Sequence, residues 1–238
     1  MTAEFLKVWY LPFPRWTALA LAVVVIAFGA GLYLTSPSDP FWYVDTPGST
    51  IGLVARVATL VFGVWLATLD FASGTAQRTV VAEPSRSRVL ATKFLIVLIV
   101  AALVGVAVAA ATSGLSDLAA RHAEVAIDDN DLAAATYGQV PSIVTAAAIG
   151  FGLGLLSRSL AAGIALGIVF LLVLDGIISL IPGFEDYTYG LLVQDLANGI
   201  TGVGETTNSL GVAIVGVLAW VLVILIPGWV RVLRTDLK

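Results

Sequence analysis

The sequence contains no cysteine, one histidine and one methionine among its 238 residues. The absence of cysteine excludes disulfides, thiolate catalysis and cysteine-ligated metals, and the single His122 excludes a site with several histidine ligands. The chain also lacks the GxxxxGK[ST] sequence of an ATP-binding P-loop, the HExxH and GxSxG catalytic motifs, and any basic tract of the kind that binds nucleic acid. We therefore expect a protein that is not an enzyme, carries no cofactor in this chain and binds no nucleic acid.

Charged residues are scarce as well, at 12% of the chain, whereas 59% of the residues are hydrophobic. A soluble domain is usually about 25% charged and about 45–50% apolar. A globule of this size cannot bury so many apolar residues, so we predict an integral membrane protein in contact with lipid. The first apolar run begins near Thr17 and has no small-residue cleavage site, which favours a retained span over a signal peptide.

Six apolar stretches approach the roughly twenty residues that cross a bilayer core. We predict an all-α fold in a single domain, residues 1–238, with transmembrane helices at residues 17–35, 51–69, 94–112, 142–156, 160–181 and 210–229. A Pro/Ser-rich turn with Phe41, Trp42 and Tyr43 at the interface joins the first two spans. Residues 182–208 are too polar to span, and form either a short re-entrant helix or an amphipathic surface loop.

The residues that precede the first span have the pattern of an amphipathic helix. Over residues 2–14, aromatic side chains including Trp9 fall on one helical face, while Glu4 and Lys7 lie opposite. This pattern is typical of a helix that lies in the membrane interface. A frayed terminus is the alternative interpretation.

The positive charges predict how the chain is oriented, because Lys and Arg resist translocation. If both termini are cytoplasmic, all but two of the twelve Lys and Arg lie on the cytoplasmic side. The two exceptions are Arg121, which lies outside, and Arg56, which lies within the second span. We therefore predict a multi-pass protein of the cytoplasmic membrane with both termini in the cytoplasm.

Three smaller patterns predict local structure. Two glycine pairs in the fourth and fifth spans have the spacing that lets helices approach closely, and we expect packing within one subunit rather than a dimer seam: Gly150 with Gly154, and Gly163 with Gly167. Residues 128–131, Asp-Asp-Asn-Asp, lack the glycine and glutamate of an EF-hand. We expect them to form a solvated loop that caps a helix starting at Leu132. His122 is expected at the surface.

Two ionisable residues lie inside predicted spans: Arg56 in the second and Asp175 in the fifth. A lone charge in a span costs at least about 2.5–3.5 kcal/mol. At about 1.5 Å per residue, both lie roughly 8–9 Å below the outer boundary. We hypothesise an ion pair that locks the two spans and serves as an outer gate. Alternatively, Arg56 extends to the headgroups while Asp175 bonds a neighbouring hydroxyl or is protonated.

The segment between the second and third spans is the longest polar interruption that carries positive charge. Along it come, in order, Asp70, Gly74, Thr75, Arg78, Pro84, Arg86 and Lys93. This order resembles the ABC-2 family of ABC transporter permeases, whose membrane subunits typically carry an acidic residue, Gly-Thr, Arg, Pro-x-Arg and Lys at this place. The helix containing Glu4 and Lys7 is similar to the N-terminal connecting helix of that family.

The resemblance implies an exporter's permease subunit whose cytoplasmic coupling helix, near residues 74–83, fits a groove in a separate ABC ATPase subunit. Two permeases, forming a homodimer or heterodimer, and two ATPases would form the working unit, with ATP and Mg²⁺ held by the ATPase. One alternative is a non-transporting subunit or scaffold of a larger membrane complex, and another is an ion- or proton-coupled carrier using Asp175. The charges of Arg78, Arg86 and Arg88 alone would also suit anchoring to anionic headgroups.

The predicted orientation can be tested by labelling single cysteines, because the chain has none of its own. We expect Ser87→Cys to react with a membrane-impermeant maleimide only after the cells are opened, since the basic segment should be cytoplasmic. Labelling of this variant from outside intact cells would contradict the topology.

Overall fold

The computed structural model describes residues 12–72 and 86–234, and every regular element in these ranges is helical. The helices are α1 (Pro12–Thr35), α2 (Phe41–Ala72), α3 (Arg86–His122), α4 (Asp129–Tyr137), α5 (Val140–Ser157), α6 (Leu160–Val169), α7 (Asp175–Ile178), α8 (Tyr189–Thr201) and α9 (Leu210–Arg234). A π-helical turn, Phe170–Leu174, joins α6 to α7, and a 3₁₀ turn, Glu185–Tyr187, precedes α8.

Six helical segments within the described ranges are long and apolar enough to cross a membrane. They are Phe13–Thr35, Phe41–Leu69, Ser87–His122, Asp129–Ser157, Leu160–Ile178 and Leu210–Arg234. The predicted all-α membrane architecture with six spanning helices is therefore confirmed at this level. The interfacial helix predicted at residues 2–14 and the coupling helix predicted at residues 74–83 lie outside the described residues, apart from the start of α1.

Helix α2 begins at Phe41 rather than at residue 51 and passes through Pro47, so the predicted turn at Phe41 is wrong. The backbone N–H of Phe41 donates to Oδ1 of Asp39 (2.9 Å), which holds the first turn. A proline inside a helix costs about 3 kcal/mol. The helix persists because Tyr43 is fully buried against α1 and α3, and its hydroxyl donates to the carbonyl oxygen of Pro37 (2.8 Å).

Helix α3 is much longer than the span predicted from hydropathy. It has 37 residues, which correspond to about 55 Å, whereas a bilayer core is about 30 Å thick. The helix begins seven residues before Lys93, which was expected to open the span and is instead buried within it. It also continues beyond Thr112 to His122, because the residues there pack against α1 and α4. His122 is exposed, as predicted, and stacks on Tyr33 with ring centroids 4.0 Å apart.

The acidic sequence after α3 caps helix α4, as predicted. Oδ1 of Asp128 accepts a hydrogen bond from the backbone N–H of Asn130 (2.7 Å), which satisfies one of the free N–H groups of the first turn. The helix starts at Asp129 rather than at Leu132 because this cap acts three residues earlier. Leu132 is buried within α4, so the capped helix turns its apolar side toward the bundle.

Close backbone contact joins α2 to α5, and these are the most buried of the membrane-length segments. A Cβ atom added to Gly150 on α5 would overlap the carbonyl oxygen of Leu60, and one added to Gly63 on α2 would overlap that of Ala147. The hydroxyl of Thr59 donates to the carbonyl oxygen of Ile143 across the same seam (3.1 Å). Without side chains between them, the two backbones lie in direct contact.

Helix α6 packs on α2 through its own glycines. A Cβ atom on Gly163 would lie 2.5 Å from Val64, and one on Gly167 would overlap the side chain of Leu60. On α5, a Cβ atom on Gly154 would lie 2.7 Å from Ala67. Both glycine pairs therefore pack helices within one subunit, which confirms the sequence prediction.

The charges divide the bundle into two ends. The end where α2 stops and α3 starts, which we call the basic end, carries Arg15, Arg88, Lys93, Arg158, Arg231 and Arg234 among the described side chains. The opposite end, which we call the acidic end, carries Asp39, Asp45, Asp117, Glu124, Asp128, Asp129, Asp131, Glu185, Asp186, Asp195 and Glu205, with Arg121 as its one described Lys or Arg. At the basic end, Nη2 of Arg158 donates to the carbonyl oxygen of Arg231 (3.1 Å) and Arg231 donates to that of Leu156, which fastens α5 to α9.

The seam between α2 and α5 predicts which glycines tolerate a methyl group. We expect Gly63→Ala to destabilise the bundle by about 1–3 kcal/mol, because the added Cβ meets backbone atoms that cannot rotate away. The matched control is Gly31→Ala on α1, where nothing lies within 4 Å of the added Cβ and stability should be unchanged or slightly higher. Thermal unfolding in detergent measures both, and equal midpoints would contradict the seam.

Candidate functional site

A cavity of about 790 Å³ opens at the acidic end, between the first half of α2, helix α4 and helix α8. Its volume falls within the range of about 300–1,000 Å³ that is usual for small-molecule sites. The polar side chains that line it are Ser49, Arg56, Gln139, Ser142, Gln194 and Asn198, and the acidic ones are Asp45, Asp131 and Glu205. The cavity therefore places polar and charged side chains inside the acidic end of an otherwise apolar bundle.

The wall between α2 and α4 is built by two more glycines. A Cβ atom on Gly48 would lie 2.5 Å from the carbonyl oxygen of Ala135, and one on Gly52 would lie 2.8 Å from Oε1 of Gln139. The contacts advance by four residues on α2 and by four from Ala135 on α4 to Gln139 just after it, so the two segments run in the same direction and in step. Asp131, one turn before Ala135, consequently lies at the level of the α2 residues just before Gly48.

The wall formed by α8 and the segment after it depends on Asp195, a buried carboxylate that is only 1% exposed. It accepts hydrogen bonds from the backbone N–H groups of Thr207 and Asn208 and from Nδ2 of Asn208, each at 2.9 Å. Nδ2 of Asn198 donates to the carbonyl oxygen of Glu205 (2.7 Å). These bonds fold the segment after α8 back onto the helix and hold Glu205 at the mouth of the cavity. Sequence analysis did not single out Asp195.

Helix α8 starts inside the bundle and ends at the acidic end. Tyr189, in its first turn, is buried in one cluster with Val217 of α9, whereas Gly199, in its last turn, packs against Leu210, the first residue of α9. Val217 lies about 10 Å below Leu210 along the helix. Of the two structures considered for residues 182–208, these contacts favour a short re-entrant helix.

The carboxylate of Asp175, the first residue of α7, lies against the N-terminus of α8. Its Oδ2 accepts a hydrogen bond from the backbone N–H of Gly190 (2.7 Å), and the side chain of Thr188 accepts one from Leu191 (3.4 Å). A carboxylate is stabilised there because the free N–H groups of a first turn carry partial positive charge. Asp175 therefore has a partner in the backbone of α8, whereas the sequence hypothesis sought its partner among the basic side chains.

Arg56 lies at the floor of the cavity, where it is half-buried. Its Nε donates to the carbonyl oxygen of Gly52 one turn earlier on α2 (3.4 Å). Within the described residues, Arg56 and Asp175 form no direct salt bridge, so the hypothesised ion pair is not present as a contact. The two side chains do interact electrostatically with each other and with Tyr189.

Tyr189 separates this charged region from the apolar core. Its hydroxyl and that of Thr145 share a hydrogen bond of 2.8 Å. Burial raises the pKa of Tyr189 to about 12, with Arg56 and Asp175 acting on it in opposite directions. The phenol therefore stays protonated and neutral at physiological pH, and it ties α8 to α5.

The residues that carry the family resemblance lie at the other end of the molecule. Asp70 is in the last turn of α2 and Arg86 is the first residue of α3, so both flank the basic end, and Lys93 is buried in α3. The remaining predicted coupling and interfacial residues lie outside the described ranges: Glu4, Lys7, Trp9, Gly74, Thr75, Arg78 and Pro84. The cavity, which sequence analysis did not predict, lies at the acidic end.

Comparison of the chain with protein-family models, curated proteins and solved structures found no match. No cluster of three or more metal-ligating side chains occurs among the described residues.

The hydrogen bonds of Asp195 predict how the cavity wall responds to a single atom change. Asp195→Asn replaces one of the two acceptor oxygens with an NH₂ group, so the backbone N–H of either Thr207 or Asn208 loses its acceptor. We expect a loss of about 1–3 kcal/mol and faster cleavage after Glu205 by a glutamate-specific protease. Asp186→Asn is the matched control, because the carboxylate of Asp186 accepts none of these bonds. Equal cleavage of the two variants would contradict the role of Asp195.

Proposed function

We propose that this chain is the membrane-spanning permease subunit of an ABC-2 type exporter, which moves its cargo across the cytoplasmic membrane using ATP hydrolysed by a separate subunit. The observation that carries the proposal is the order of residues between the second and third spans, from Asp70 through Gly74, Arg78 and Pro84 to Lys93. The chain has no P-loop sequence of its own, so ATP and Mg²⁺ would bind to the partner. A second permease, identical or related, would complete the working unit.

The charge distribution supports the orientation that this function requires. Described Lys and Arg side chains are concentrated at the basic end, with Arg121 and Arg56 as the exceptions, and positive charges favour the cytoplasmic side of a membrane. The segment of residues 73–85 connects α2 to α3 at that same end. In this orientation the segment faces the cytoplasm, where an ATPase subunit would bind, and the cavity opens on the opposite side.

Helix α2 supports a mechanical route from the proposed coupling segment to the cavity. It is one continuous helix of 32 residues, about 48 Å long, that ends at Ala72 beside the segment and begins at Phe41 beside the cavity mouth. The glycine contacts with α5 and α6 hold its middle rigidly. A force applied near Ala72 would therefore tilt α2 about this packed region and shift Asp45, which lines the cavity on the far side of it.

Co-purification with an ATPase tests the proposal. The tagged chain expressed from its native locus should bring down a P-loop ATPase in nearly equal amount, and the complex should hydrolyse ATP in a vanadate-sensitive way. Isolation of the chain in a stable complex without any ATPase would favour the scaffold alternative.

The coupling role predicts a charge-reversal phenotype. Arg78→Glu should reduce ATPase association at least about tenfold, because truncating or reversing one member of an interfacial charge pair typically costs 2 kcal/mol or more. Membrane insertion should be unaffected. Arg121→Glu is the control, since Arg121 lies at the acidic end and pairs with Asp117 on its own helix (2.8 Å). Unchanged association and ATP hydrolysis in Arg78→Glu would refute the assigned role.

A further inference from the structure

The charges that line the cavity are separated by depth. Arg56 lies at the floor beside Gly190, the residue whose N–H binds Asp175. Asp45 lies eleven residues earlier on α2, about 16 Å nearer the acidic end. Asp131 lies at the level of Asp45, because α4 runs in step with α2, and Glu205 is held beside Asn198 near the end of α8. The cavity is thus positive at its floor and negative at its mouth.

The floor has unused capacity to bind an anion. A guanidinium group carries five N–H donors, and the hydrogen bond that Arg56 makes within the described residues uses only Nε. Arg56 itself lines the cavity, and its two terminal amino groups form the planar pair of donors that matches a carboxylate. The oxygens of Asp175 face the N-terminus of α8 through Gly190, so this carboxylate is already engaged.

The walls between floor and mouth carry uncharged polar side chains among apolar ones such as Val44, Ala134 and Val193. Gln139 lines the cavity from the turn before α5, and Gln194 and Asn198 line it from α8. Amide side chains both donate and accept hydrogen bonds, so they suit a ligand whose middle carries amide groups. The exposed apolar surfaces elsewhere on the bundle face outward, whereas this polar lining faces inward.

We propose that the cavity binds a short, extended zwitterion, such as a peptide of about five residues with free ends. Its carboxylate binds Arg56 at the floor and its ammonium group lies among Asp45, Asp131 and Glu205 at the mouth. Five extended residues span about 16–18 Å, which matches the separation of the charges. Binding requires this chain alone, so the proposal is independent of the ATPase partner.

Simpler ligands fit the charge pattern less well. A small anion can bind Arg56 but must first pass three carboxylates at the mouth. A small cation can bind those carboxylates but is repelled by Arg56 at the floor. The headgroup of phosphatidylethanolamine carries both charges only a few bonds apart, so it cannot reach both ends at once. The length of the cavity therefore selects for an extended molecule.

Three peptides of equal length separate the contributions of the two ends. Radiolabelled pentaalanine with free termini, its N-acetyl derivative and its C-terminal amide are measured by equilibrium binding to the full chain in lipid nanodiscs. We expect saturable binding of the free peptide. The C-terminal amide should bind about 10- to 100-fold more weakly, because a charge-assisted hydrogen bond is lost. N-acetylation should weaken binding only about 2- to 5-fold, because the mouth is solvated.

Four variants assign these effects to residues. Arg56→Gln should remove the difference between the free peptide and its amide. The double variant Asp45→Asn with Asp131→Asn should reduce the difference between the free and acetylated peptides, because only Glu205 then remains at the mouth. Ala134→Phe, on the cavity wall, should block all three peptides without a change in charge. Arg121→Gln, at the acidic end but outside the cavity, should bind as the parent chain does.

The outcomes either support or overturn the proposal. No saturable binding of pentaalanine, or equal binding of the free peptide and its amide, would overturn it. Equal binding of the free and acetylated peptides would overturn the assignment of the mouth. Full binding by Ala134→Phe would show that the peptides bind elsewhere. Retained unfolding midpoints for the Ala134→Phe and Arg56→Gln proteins establish that lost binding reflects the cavity rather than misfolding.

Discussion

The direct contact between the backbones of α2 and α5 is the constraint on which the rest of the bundle depends. In lipid, apolar side chains gain little by associating with one another, so helices associate through close packing and hydrogen bonds. Gly63 and Gly150 remove the side chains that would keep the axes apart, and Thr59 adds a hydrogen bond across the seam. Because α6 also packs on α2 through Gly163 and Gly167, the central helix is enclosed on two sides.

The two halves of α2 therefore have different surroundings. The second half is closely packed against α5 and α6 and ends at Ala72, beside the segment for which we propose a coupling role. The first half, at the acidic end, carries Gly48 and Gly52, which let α4 lie against it. Pro47 is tolerated in this region because burial of Tyr43 holds the helix. The cavity therefore arises where the short helices α4 and α8 pack around the first half of a long central helix.

Hydropathy predicted the middle of each span well, because a helix that crosses a bilayer needs a run of about twenty apolar residues, and such runs are visible in the sequence. It missed the helix ends, since the polar residues before Ile51 and after Thr112 continue the helices once other elements pack on them. The glycine pairs were predicted because their spacing alone implies close approach. The cavity was not, because its walls meet through long-range contacts. Asp195 was missed because no local pattern distinguishes a buried carboxylate that binds backbone N–H groups from a surface one.

The π-helical turn between α6 and α7 explains why Arg56 and Asp175 come near each other without pairing. Seven residues of α-helix make almost two turns, so Leu174 would follow Gly167 on the face that packs against α2. The π turn, Phe170–Leu174, accommodates one extra residue and gives that place to Asp175. The carboxylate is thereby turned toward α2 and the cavity floor, where the N-terminus of α8 reaches it first. The same insertion leaves Arg56 close to a negative charge, which lowers the cost of placing a cation within a membrane helix.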